Sequence, residues 1–127
     1  MLLVDTHLIL WASFDPARLS AKASRQLRSR ALPLAFSHAS LWEVAIKTSL
    51  GRAEFSVDSR LLREALVAEG FIELPIAAAH IARVAGLPWI HRDPFDRMLV
   101  AQALQDGLTL LTADSTLKGY GRFVKVM

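Results

Sequence analysis

Cysteine is absent from the 127 residues. Disulfides and thiolate metal sites are therefore excluded, and a cytoplasmic setting is expected. Glycine and proline are sparse, at six and five residues, and leave no linker-like, low-complexity or repetitive tract. No apolar run approaches the roughly 18 residues that a transmembrane helix needs. The N-terminal stretch is broken at once by Asp5 and His7 and has no basic lead, so it does not read as a signal peptide. Also missing are a Gly-rich phosphate loop, a His-Glu-x-x-His zinc helix and a Gly-x-Ser-x-Gly elbow. His91-Arg92-Asp93 has the look of a kinase catalytic loop, but Met98 stands where that loop needs Asn.

What is present is a hydrophobic fraction of 53%, ample for the core of one domain spanning 1–127. Fifteen Lys and Arg against twelve Asp and Glu give a net charge of +3, which permits a polyanionic partner without demanding one. Arg18, Lys22, Arg25, Arg28 and Arg30 crowd one segment, either as a solvated helix face or as a phosphate contact.

Apolar runs alternate with helical stretches. Strands are expected at Met1 to Val4, Leu32 to Phe36, Phe71 to Leu74, Leu108 to Leu111 and Phe123 to Val126. Helices are expected from Thr6 to Ser13, from the Ser20 cap to Arg30, and from beyond Ser40 to Leu50, closed by Gly51. Three more run from the Asp58 cap to Glu69, from Pro75 to Ala85 and from Asp93-Pro94 to Asp106. This alternation predicts an α/β, three-layer sandwich: a central, largely parallel sheet flanked by helices.

Ligands of such sheets bind beyond the carboxyl ends of the strands, and two strands here run into an acid, Asp5 and Asp114. Each could simply cap the helix that follows. Glu43 is harder to explain that way. Lys47 offers it a helical salt pair, but Trp42, Val44, Ala45 and Ile46 leave little polar circumference. In Asp93-Pro94-Phe95-Asp96, Asp93 suits the cap and Asp96 the better ligand. The helix dipole is expected to keep both ionised. An acid cluster without Cys or zinc-type His spacing points to a hard cation, Mg²⁺ or Mn²⁺. His7 and His91 lie near these acids but read first as satisfied structural groups. Trp11, Trp42 and Trp89 read as core or interface residues rather than as base-stacking platforms. Arg97 could hold a phosphate or pair with an acid.

Four blocks in order, MLLVDTHLILW, SLWEVAIK, HRDPFDRMLVAQA and LLTAD, resemble the signature blocks of PIN-domain ribonucleases, above all the VapC-type toxins of bacterial toxin–antitoxin pairs. The resemblance spans nearly the whole chain. It implies metal-binding acids at Asp5, Glu43, Asp96 and Asp114, with Asp93 as companion and Thr112 as a hydroxyl beside the last acid. It also implies a Mg²⁺ or Mn²⁺ cofactor, an RNA substrate, a homodimer and a small antitoxin that blocks the site. The contrasting reading is a non-catalytic RNA- or protein-binding module in which the acids are caps and salt-bridge partners. A phospho-accepting receiver domain fits poorly: Thr6 follows Asp5 where a second acid is wanted, and the third strand runs into Pro75.

Overall fold

The computed structural model describes residues 1–52 and 56–127. Five parallel strands form one sheet in the order β3-β2-β1-β4-β5. They are β1 (Leu2–Val4), β2 (Leu34–Ser37), β3 (Ile72–Leu74), β4 (Thr109–Thr112) and β5 (Val124–Val126). The helices are α1 (Thr6–Phe14), α2 (Ala21–Ser29), α3 (His38–Ser49), α4 (Ser59–Ala68), α5 (Ala78–Ala85) and α6 (Pro94–Asp106).

Side-chain alternation divides the core into two layers. Leu2, Val4, Leu34, Phe36 and Leu111 face one side and pack with Leu8, Ile9, Leu27 and Leu66 of α1, α2 and α4. Leu3, Ala35, Leu110 and Val124 face the other and pack with Leu99, Val100 and Ala103 of α6. Successive strand residues point to opposite faces, so short apolar runs become strands buried on both sides. Each such side chain contributes roughly 1.5–3 kcal/mol. The three-layer sandwich expected from the sequence is the observed architecture.

The cap residues act as read. Ser20, Asp58 and Asp93 each accept a backbone N–H at the start of a helix. Gly107, at φ +66°, ends α6 in the left-handed region that glycine enters at little cost. Three boundaries differ by two residues or more. β2 begins at Leu34, because Pro33 has no N–H to give the ladder and Leu32 is exposed. α3 starts at His38 rather than after Ser40, since the Ser37 hydroxyl caps it by accepting from the Ala39 amide. α5 starts at Ala78 rather than Pro75; there the His80 ring accepts the Ala77 amide. The short 3-10 turn Pro16–Arg18 lies outside the elements expected from the sequence, while the 3-10 turn Ser115–Tyr120 is the short helix that Asp114 caps.

The chain builds the sheet outward from β1 to β2 and β3, then returns to add β4 and β5 on the opposite edge. The strand order therefore reverses between β1 and β4. Crevices at such reversals are where open parallel sheets bind their ligands.

Candidate active site

Asp5 and Asp114 leave the sheet at that reversal. Val4 pairs with Leu111, and the Asp5 amide donates to the Leu111 carbonyl at 2.9 Å. Asp5 is buried and caps α1, with Oδ1 accepting from the His7 amide at 2.7 Å. Its Oδ2 accepts the Thr112 hydroxyl at 2.5 Å. The same Thr112 oxygen accepts the Asp114 amide at 3.0 Å, so one strand-end hydroxyl fixes both acids. Burial pushes the Asp5 carboxyl up despite the Thr112 bond and the neighbouring His7. For Asp114, desolvation raises the carboxyl, but the Thr116 amide and hydroxyl and the His91 ring outweigh it and hold the group below its ordinary value.

Glu43 comes from α3. The Thr6 hydroxyl donates to Ser40 at 2.8 Å, which ties the start of α1 to α3 one turn before Glu43. Glu43 is only 1% exposed. Its Oε2 accepts from Lys47 Nζ at 2.6 Å, while its Oε1 is buried and accepts no hydrogen bond. A buried carboxylate oxygen with no donor is costly unless a cation completes it.

Asp96 lies at the electrostatic centre. Asp93 Oδ1 accepts the Phe95 and Asp96 amides and opens α6, which turns Asp96 inward. Burial first, then the charges of Asp5, Asp93, Glu43 and Asp114, push the Asp96 carboxyl up to about 8. The expectation that the helix dipole would keep Asp96 ionised is corrected here. A helix terminus contributes only about 0.3–1 kcal/mol, too little against burial and four like charges.

The family is decided by direct comparison: a PIN-domain family model matches residues 2–122. The chain belongs to the PIN-domain family. It is 30% identical over 122 residues to "Ribonuclease VapC22" of Mycobacterium tuberculosis (strain ATCC 25618 / H37Rv), covering 93% of this chain and 90% of that protein. The PIN fold also appears in two solved structures. The first is VapBC2 from Rickettsia felis bound to a promoter DNA fragment, with a TM-score of 0.70 and 13% identity over 99% of this chain and 96% of the other. The second is a toxin–antitoxin complex from Klebsiella pneumoniae, with a TM-score of 0.67 and 20% identity over 99% and 97% of the two chains.

In this PIN domain all five expected acids converge, because each of the other four acts on Asp96. Thr112 joins them through Asp5. Arg97 does not join them. It is 3% exposed, and its guanidinium donates to the carbonyls of Val84, Leu87, Pro88 and His91 and to the Tyr120 hydroxyl. Its terminal nitrogens are taken up by these acceptors, and it makes no acid pair among the described residues. Trp42 and Trp89 are not core residues, being 53% and 78% exposed. Trp42 packs edge-on against Phe95, and Trp89 covers the Arg97 guanidinium.

His91 is a satisfied group, as expected, and its partners are the acids of the cluster. Its Nε2 lies 3.0 Å from Asp114 Oδ2 and 3.5 Å from Asp96 Oδ2, while Nδ1 accepts the Asp93 amide. Its only signal in the sequence is its place two residues before Asp93. His91, Asp96 and Asp114 each bring one ligand atom within 4.8 Å of the others. A set of carboxylate oxygens with one imidazole, beside the undonated Glu43 oxygen, suits a hard divalent cation.

Proposed function

We propose that this chain is a metal-dependent endoribonuclease, the toxin of a toxin–antitoxin pair, with residues 1–127 acting as one nuclease domain. The carrying observation is the buried, undonated Oε1 of Glu43 in a cluster where Asp96 is already surrounded by acids. Helix capping accounts for Asp5, Asp93 and Asp114, as a binding module would require. It does not account for Asp96, and the Lys47 ion pair satisfies only one of the two Glu43 oxygens.

Asp5, Asp96, Asp114 and Glu43 are the residues that would hold Mg²⁺ or Mn²⁺. Such a cation supplies an activated water and offsets charge developing on the phosphodiester. The chain does the positioning. Thr112 fixes the Asp5 carboxylate and the Asp114 backbone from one oxygen, and His91 orients the Asp114 carboxylate through its Oδ2. Lys47 holds one Glu43 oxygen and leaves the other buried without a donor. In-line hydrolysis at this site leaves a 5′-phosphate and a 3′-hydroxyl.

The "Ribonuclease VapC22" name of the relative supports an RNA substrate, and the toxin–antitoxin assemblies that share the fold support a small antitoxin partner. A homodimer and a cytoplasmic location belong to the same reading. No helix among the described residues is long and apolar enough to cross a membrane.

Cleavage of RNA with Mg²⁺ or Mn²⁺ tests the proposal. Asp96→Asn and Glu43→Gln are each expected to lower the rate at least about a hundredfold, since even outer partners of metal ligands cost ten- to a hundredfold. Undiminished cleavage in either variant would remove the site assignment.

A further inference from the structure

The acids do not sit in a closed pit. Asp5, Asp96 and Asp114 line an open cleft of about 470 Å³ together with His7, Trp11 and Arg18. Asp15 also lines it, so Arg18 is the one arginine or lysine in a cleft otherwise charged by carboxylates. A polyanion entering that cleft is repelled along most of its length and needs a cation to hold it.

Arg18 is unlike the other four basic residues of its segment. Arg28 and Arg30 line a separate groove, and Lys22 and Arg25 line neither. Arg18 forms no ion pair within 4 Å of a carboxylate among the described residues. Its guanidinium instead lies over Trp11, 4.7 Å from the ring centroid. Stacking holds the guanidinium plane while leaving its N–H fork available, a geometry suited to a phosphate. The backbone beneath is also fixed: Arg18 ends the 3-10 turn Pro16–Arg18, with its amide donating to the Asp15 carbonyl at 3.0 Å.

We propose that Arg18, held on Trp11, binds a backbone phosphate of an unpaired RNA strand, next to the phosphate presented to the carboxylates. The strand is unpaired because the cleft wall also offers the exposed ring of Phe14, and only bases free of a duplex can stack on such a ring. The proposal rests on the nuclease reading above and adds to it the residue that anchors the substrate.

The test is binding of a fluorescent single-stranded RNA to Asp96→Asn protein in Mg²⁺, measured from low to high salt so that the strand is held but not cut. Adding Arg18→Ala is expected to weaken binding for every sequence tried. It should also reduce the slope of log K against log salt by about 0.7, the loss of one single-strand phosphate contact. Arg18→Lys keeps the charge and should restore the slope. Arg28→Ala removes the same charge from the other groove and should leave the slope near the parent value. A duplex of the same sequence should bind more weakly, with no dependence on Arg18.

Binding by the parent that Arg18→Ala leaves unchanged overturns this proposal and leaves the nuclease reading standing. An equal loss in Arg28→Ala also overturns it, by marking a diffuse charge effect. So does a slope lost equally in Arg18→Lys, which would assign the effect to packing on Trp11. Equal, Arg18-dependent binding of the duplex overturns the choice of an unpaired strand. No RNA binding by the parent would leave the cleft to a protein partner and remove the nuclease reading together with this proposal.

Discussion

Asp96 carries the sharpest electrostatic conflict of the site. Its carboxyl rises from 3.8 to about 8, so folding favours its protonated form. The stability it contributes is complete below the unfolded value near 3.8 and is lost as pH rises through about 8. Metal-free protein is therefore expected to melt lower at about pH 9 than at about pH 5 through this group. Asp96→Asn should remove that difference, raising the melting temperature near pH 9 and changing it little near pH 5. Thermal melts in chelator check this, and a variant that melts lower than the parent near pH 9 would contradict it. The same physics runs in reverse at the surface. Arg63 first, then His38, hold Glu73 down to about 2, so its contribution is present above the usual value of 4.5 and fades as pH falls towards 2. Glu43 is the acid that a structural role explains least well in the sequence; the structure gives it the Lys47 pair and leaves its other oxygen without a donor. What the sequence hid at this scale was His91, because no spacing rule links a loop histidine to an acid 23 residues away.

The elements carry these side chains, and α6 shows how closely scaffold and site are joined. Asp93 caps it, Asp96 stands in its first turn, and Arg97, the next residue, turns the other way to tie down the loop that presents His91. Arg97→Ala would leave several buried carbonyls without a donor, each costing roughly 1–3 kcal/mol. A loss of about 3 kcal/mol or more is expected, read by denaturant unfolding, and Arg97→Lys should recover little of it because an ammonium cannot span the same carbonyls. A loss below about 1 kcal/mol would return Arg97 to the list of binding residues. Element type was legible throughout, since short apolar runs and capped helical stretches are local signals. Boundaries were less so where the deciding group is distant or unusual. The Ser37 side chain joins cap to core, accepting from Ala39 while donating to Gln102, 65 residues on, and the His80 ring caps its own helix.

At the scale of the whole molecule, the reversal of strand order between β1 and β4 turns ordinary caps into a cluster. A cluster that binds a cation couples it to folding. Mg²⁺ at about a hundred times its dissociation constant should add roughly 2.7 kcal/mol of stability. Asp5→Asn should abolish most of that gain. Melts with and without Mg²⁺ separate the two functional readings, because a binding module whose acids are only caps gains nothing from the ion. The sequence alone determined the sandwich, the capped helices and the acids worth watching, because hydrophobic period and capping chemistry act over a few residues. It also supplied the four ordered blocks that resemble the PIN family. Only the tertiary structure decided that Asp96 sits among all the other acids, that Arg97 is scaffold, that His91 touches the cluster and that Arg18 faces the same cleft. Each of those depends on which groups meet across the fold, and burial and like charge take effect only when the chain has closed around them.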